Sequence, residues 1–383
     1  MSSHGNPAAI HYGMFIMPFH DPAKPPSQCF DEDLELIVRA EELGFTEFWI
    51  GEHHTMKCEP IVMPEIFIAR ALGQTRTIRM GPAPICLQLH NPVHVACRVA
   101  FLDHLAKGRL NLCLGTNSVA SDLEVYGIDP KDSPEMLDEA IDAVLKLWSS
   151  DPPYEFAGKY WRHRLVKTVD TETAIGYIPK PYQQPHPPIA VPGTSLNSAS
   201  MKTAGRRGFR PFSHCLIPGN VVADCWETYA QAALQAGRQP DRSEWKVARS
   251  IFLADTTREA RQRARTNSLG QCYEYIGRLL DKGPGRKMYK RDPALSDADC
   301  NLDYLMTEQI IAGDVDEVLR RLLELIEETG PFGTLILMGY DWDDKSSWLH
   351  SMELFSRELM PALNQAVAGG ITPARTKLME VRL

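Results

Sequence analysis

The residues best able to do chemistry in this 383-residue chain fall in a few short clusters. Glu52-His53-His54 sets a carboxylate beside two imidazoles. A histidine titrates near neutrality, so one of the pair could act as acid or base over a ligand. The plainer reading is a histidine packed inward that only hydrogen-bonds its neighbours. Neighbouring residues on a strand point to opposite faces, so His53 and His54 are not expected to grip one ion. No metal is therefore expected, which argues against a metal-dependent hydrolase. Gly193-Thr194-Ser195, followed by Asn197 and Ser198, runs from a strand end into a helix start. Free N–H groups and hydroxyls there favour a phosphate, although an ordinary N-cap would explain Ser198 alone. Gly81-Pro82-Ala83-Pro84 places two prolines at a strand end. They remove ladder donors and permit a cis bond, which would push the backbone against a flat ligand. A simple strand-ending turn is the alternative.

The elements that must position these clusters follow one rhythm. Apolar runs at 11–19, 45–50, 77–84, 110–115, 188–193, 208–214, 247–256 and 334–339 read as strands. Each leads on to a segment of helical period. Strands alternating with helices make parallel βαβ units, and eight repeats make an α/β fold of the (β/α)8 TIM-barrel type with insertions. A doubly wound sheet would need fewer strands and a Gly-rich turn after the first, where MPFHDPAKPP stands. Barrel active sites lie at the C-terminal strand ends. That is where the clusters above fall, together with Met17, Phe19 and His20, Gln88 and His90, and Thr116, Asn117 and Ser118. The whole chain, 1–383, reads as one barrel domain. It carries a hairpin or loop excursion at about 151–187, a polar excursion at about 257–307 and a tail from about 367.

Composition excludes several classes. Apolar residues are 44% and charged residues 23%, as in soluble globular proteins. The 41 basic and 49 acidic residues give a net charge of −8, which argues against nucleic acid or an anionic membrane as partner. No apolar stretch reaches the ~20 residues of a membrane-spanning helix, and the N-terminus lacks the features of a signal peptide. Nine cysteines are scattered without a CxxC. They read as buried thiols in a cytoplasmic protein, without a disulfide or zinc site.

Several motifs, in order along the chain, together resemble the bacterial luciferase-like flavin-dependent monooxygenases. They are ELGFTEFWIGEHH, PEIFIARALGQTRTIRMGPAP, LHNPVHVA, LDHLAKGRLNLCLGT, QPHPPIAVPGTSLNSA and AGDVDEVLRRL. Within that family SDLEVYGIDP and GEHH stand nearest the limonene monooxygenases and, at more distance, the diketocamphane monooxygenases. The resemblance implies a (β/α)8 barrel that uses reduced FMN from a separate NAD(P)H-dependent flavin reductase. It implies insertion of one atom of O2 into a hydrophobic terpenoid, cyclic ketone or aldehyde, and a homodimer. By resemblance His53 is the catalytic histidine. Gly193, Thr194, Ser195 and Ser198 would hold the FMN phosphate, and Ala83, Pro84, Thr116 and Asn117 would also bind the cofactor. Met17, Phe19, Glu52, His54, Gln88, His90 and Phe212 would line the substrate pocket. Phe15, Trp49 and Ile85 would add to an apolar wall. Many members carry Arg-Gly after the fourth strand, where Thr116-Asn117 stands here, so the phosphate would meet one charge fewer. Arg286, Lys287, Lys290 and Arg291 in the second excursion are either a solvated charge run or a lid over the phosphate. A deazaflavin-dependent oxidoreductase of the same barrel family and a non-catalytic flavin-binding protein are the alternatives.

Overall fold

The computed structural model describes residues 9–17 and 19–370. The expected tail therefore lies mostly outside the described residues. In chain order the elements begin β1 (His11–Ile16), α1 (Pro26–Glu42), β2 (Glu47–Ile50), α2 (Pro64–Leu72), β3 (Arg79–Pro82), β4 (Ile85–Cys86) and α3 (Pro92–Ala106). Next come β5 (Leu112–Gly115), α4 (Ala120–Val125), α5 (Ser133–Ser149), β6 (Tyr154–Ala157), β7 (Arg162–Leu165), β8 (Ile189–Gly193), α6 (Ala199–Arg207), β9 (Arg210–Ser213) and α7 (Gly219–Gln235). The remainder is β10 (Lys246–Arg249), β11 (Ile251–Leu253), α8 (Thr257–Thr266), α9 (Ser268–Asp281), α10 (Leu302–Glu308), β12 (Ile311–Gly313), α11 (Val315–Thr329), β13 (Thr334–Gly339), α12 (Lys345–Leu354) and α13 (Met360–Ala368). Strand and helix alternate as the sequence predicts, and the fold is of the (β/α)8 class with insertions.

Contacts gather the chain into two compact units. One takes in the chain up to Glu47 and from Val191 onward. In it β1 and β10 flank β13 in parallel, with His11 opposite Thr334 and Ile16 opposite Gly339. β9 pairs with the other edge of β10. All six residues of β13 are buried, as expected of a parallel strand covered on both faces. Gly13 is needed for space, because a Cβ there would lie 2.7 Å from both Glu47 Cγ and Ile336 Cδ1. The glycine lets Glu47 lie in the core, where it pairs with Lys246 at 2.9 Å. α11 buries Val318, Leu322 and Leu325 on one face, and Asp314 caps it by accepting from the Glu317 N–H at 3.0 Å.

The other unit spans Phe48–Ala190. α2 and α3 begin with proline and α5 carries Pro134 at its second position, where a missing N–H costs nothing. Asn91 caps α3 and Lys107 ends it in the left-handed region. The excursion expected at 151–187 contains a true hairpin, β6 antiparallel to β7.

Two expectations change. The run 247–256 is not one strand: it breaks at Ser250, and β11 leaves to pair with β12. The Ser250 hydroxyl bonds the Tyr273 and Tyr340 hydroxyls, and its carbonyl accepts from Ile311. The polar excursion 257–307 is largely helical. Ala260 and Ala264, then Leu269, Cys272 and Tyr273, form buried stripes at helical spacing. Small and half-polar residues hid that period among the arginines.

Candidate active site

In the second unit, the strand ends bring Glu52, His53, His54, Gln88, His90 and Asn117 into two joined networks. Glu52 follows β2 and is buried. Its Oε1 accepts from His54 Nε2 at 2.9 Å and from His90 Nε2 at 2.7 Å, and its Oε2 accepts from the Cys86 N–H at 3.3 Å. Burial alone would raise the pKa of Glu52. The hydrogen bonds from His54 and His90 outweigh it and hold the carboxyl below its ordinary value. Tyr126 Oη lies 2.8 Å from His54 Nδ1, which fixes that ring at both ends.

His53, in the loop after β2, takes other partners. Its Nδ1 is 3.3 Å from Asp122 Oδ2, and its Nε2 is 3.5 Å from Glu59 Oε2. Burial would lower the pKa of His53. The charge of Glu59, and then the hydrogen bond and charge of Asp122, outweigh burial and raise it above the usual histidine value. The ring keeps 24% of its side-chain exposure while both carboxylates are buried. It is a titratable group with one accessible side.

Asp122 organises this loop. It accepts from the His54 and Thr55 N–H groups, the Thr55 hydroxyl and Asn117 Nδ2. Burial would raise its pKa, but the bonds from His53, Thr55 and Asn117 hold it well below the carboxylate range. Sequence reasoning passed over Asp122, Glu59 and Tyr126. The only signal for two of them was their place in SDLEVYGIDP, because the contact with His53 spans 69 positions.

Gln88 is buried and donates through Nε2 to the Asn117 carbonyl at 3.3 Å, while its Oε1 has no partner among the described residues. Thr116 is exposed. The Ala83–Pro84 bond is cis. Glu52, His54 and His90 also present three possible metal-ligating atoms within 4.8 Å of one another. Here the two imidazoles share one carboxylate oxygen, so the set is satisfied by hydrogen bonds.

In the first unit, Gly193 ends β8, and Thr194 and Ser195 are exposed beyond it. Ser198 is buried at the start of α6 without capping it by its side chain, and its Oγ lies 2.8 Å from Ser200 Oγ. The Asn197 N–H is taken by Asp224 at 2.6 Å, so a carboxylate already sits at this loop. Phe15 meets Phe212 edge-on at 6.3 Å, and Phe19 packs on Tyr275 at 5.2 Å. Met17 is half-buried. Of Arg286, Lys287, Lys290 and Arg291, three have carboxylate partners: Arg286 with Asp281, Lys290 with Asp297, and Arg291 with Glu308 and Glu328.

Comparison with known proteins places this geometry. The family model for luciferase-like monooxygenases matches residues 10–331. The chain is 29% identical over 375 residues to 3,6-diketocamphane 1,6-monooxygenase of Pseudomonas putida, covering 93% of this chain and 98% of that one. It is 27% identical over 361 residues to limonene 1,2-monooxygenase of Rhodococcus erythropolis, covering 93% and 87%. A solved structure of a type II Baeyer–Villiger monooxygenase, the oxygenating constituent of 3,6-diketocamphane monooxygenase from Pseudomonas putida in complex with FMN, superposes with a TM-score of 0.83. It is 30% identical and covers 92% of this chain and 98% of that one. This chain belongs to the luciferase-like monooxygenase family.

Proposed function

We propose that the chain is the oxygenating component of a two-component flavin monooxygenase, acting on a hydrophobic terpenoid, cyclic ketone or aldehyde. The observation that carries this reading is His53, a partly exposed imidazole held between two buried carboxylates. The similar solved structure, an oxygenating constituent in complex with FMN, supports the cofactor and a separate NAD(P)H-dependent flavin reductase.

The residues present fit FMN. Thr194 and Ser195 offer exposed hydroxyls beside Gly193 and the start of α6, where a phosphate is favoured. The partnerless Oε1 of Gln88 is an acceptor suited to an N–H of a planar heterocycle. In this reading Gly193, Thr194, Ser195 and Ser198 bind the phosphate, and Ala83, Pro84, Thr116 and Asn117 bind the rest of the cofactor. Reduced FMN, when bound, supplies the electrons that activate O2.

The chain's own residues do the rest. His53 holds a proton that Glu59 and Asp122 keep on the ring, and delivers it at the exposed side. Glu52, His54, Gln88 and His90, with Met17, Phe19 and Phe212, shape the substrate pocket. The apolar members keep water from the reacting groups. The reading also includes a homodimer in the cytoplasm. Supporting it, Ile66, Phe101 and Leu105 on α2 and α3 are 71%, 65% and 50% exposed, an apolar surface that suits a partner.

Oxygen consumption tests the proposal. Purified chain is mixed with FMN, a flavin reductase and NADH, then given limonene or a bicyclic diketone. Substrate-dependent uptake with an oxygenated product is expected. Uptake that yields only hydrogen peroxide, whatever the substrate, would overturn the reading.

A further inference from the structure

Arg249 is out of place for its position. It lies on β10 in the buried run VARSIF, and its residue is 2% exposed. Alternation along β10 turns it to the side opposite Lys246, whose ammonium pairs with Glu47. Arg249 donates to the Ala248 carbonyl at 2.9 Å and, among the described residues, forms no ion pair. A guanidinium carries five N–H donors, and a buried cation without an anion is costly.

Arg249 lines a cavity of about 260 Å³ walled by α10 and α11, the first residue of α7 and Arg291. The charges around it are already assigned. Arg291 spans Glu308 and Glu328, Arg320 holds Glu324, and Arg321 donates to the carbonyls of Met306, Thr307 and Ile310. Arg249 is left over. Gly219 opens α7 into the same cavity, where the Glu328 carboxylate already lies against it.

A second group points the same way. Gln309 is 1% exposed and lines the cavity. Its Nε2 donates to the Tyr289 carbonyl at 2.7 Å, which fixes the amide's orientation, and its Oε1 has no partner among the described residues. The cavity thus offers a cation that needs an anion and an acceptor that needs a donor. Three rim carboxylates disfavour a second negative charge, and Ile311 and Leu325 supply an apolar wall.

We propose that this cavity binds a short 2-hydroxycarboxylate, with its carboxylate on Arg249 and its hydroxyl donating to Gln309. The same pairing of oxyanion and hydroxyl is found in bicarbonate, which lacks the carbon skeleton that the apolar wall would cover. Occupancy would tie the excursion that carries Arg291 to α7 and α11.

Isothermal titration of the full chain with lactate, acetate and bicarbonate tests this. Lactate should bind about tenfold more tightly than acetate, the value of one added hydrogen bond. Gln309→Leu should bring the two acids within about twofold of each other, and Arg249→Met should abolish binding of both. The lactate constant should be the same with FMN bound. Equal binding of lactate and acetate, no binding of either, or loss of lactate binding on adding FMN would overturn the proposal. Bicarbonate binding without lactate binding would overturn the assignment to a hydroxycarboxylate. Should Arg249→Met fail to fold, the lactate–acetate comparison in the parent chain and in Gln309→Leu still decides.

Discussion

At the scale of single residues, the proposed chemistry rests on one imidazole and the carboxylates that hold it. His53→Gln keeps a hydrogen-bonding side chain but cannot carry the proton. Its kcat for substrate oxygenation should fall by about 10²–10⁴, while FMN titration gives an unchanged affinity. Asp122 is a positioning residue, and its effect should appear in the pH profile. Asp122 and Glu59 raise the pKa of His53, so Asp122→Asn should move the His53 limb of the kcat/KM profile to lower pH. A merely structural role would leave that limb in place. The variant also leaves the N–H groups of His54 and Thr55 without their anionic acceptor, at about 1–3 kcal/mol of stability by urea unfolding.

At the scale of elements, loops are tied down by charge as well as packing. Beyond β1, His20 bonds Asp33 of α1 at 3.0 Å and Asp341 just after β13 at 2.6 Å. Burial would lower its pKa, but the two carboxylates outweigh burial and raise it to about 9. A raised pKa means that the folded state holds the proton more tightly than the unfolded chain does. The stabilisation is therefore complete below about pH 6.5 and is lost as pH rises through about 9. Urea midpoints should fall over that window by up to about 3 kcal/mol of stability, and His20→Gln should flatten the dependence. The loop after β8 is a different device, with its hydroxyls exposed and α6 behind them. Thr194→Ala with Ser195→Ala should weaken FMN binding by about tenfold, with the melting temperature unchanged. Equal affinity in a fluorescence titration would place the phosphate elsewhere.

For the whole molecule, the net charge of −8 is compatible with association, and the proposed homodimer would form through the exposed apolar residues of α2 and α3. Phe101→Asp places a charge in that surface. Light scattering should then find half the mass of the parent protein, with oxygenation per chain little changed. An unchanged mass would move the interface to another face. The basic residues of the second excursion do not form a free anion-binding cluster, because Arg286, Lys290 and Arg291 are held by neighbouring acids. Among the described residues, Arg249 on β10 forms no ion pair.

What the sequence by itself determined was local. The alternation of buried strands with helices is written in the spacing of apolar residues over a few positions. So are the proline-started helices and the placement of the GEHH and GTS clusters at strand ends. These features depend on backbone geometry and near neighbours, and a chain read residue by residue displays them. Tertiary structure decided the partnerships. Glu52 finds His90 across 38 positions, His53 finds Asp122 across 69 and His20 finds Asp341 across 321. The break at Ser250, the helices within 257–307 and the meeting of Arg249 with Gln309 belong to the same class. In each case the free energy comes from burying a polar or half-polar group against one particular distant partner, and that partner is set by the closure of the fold.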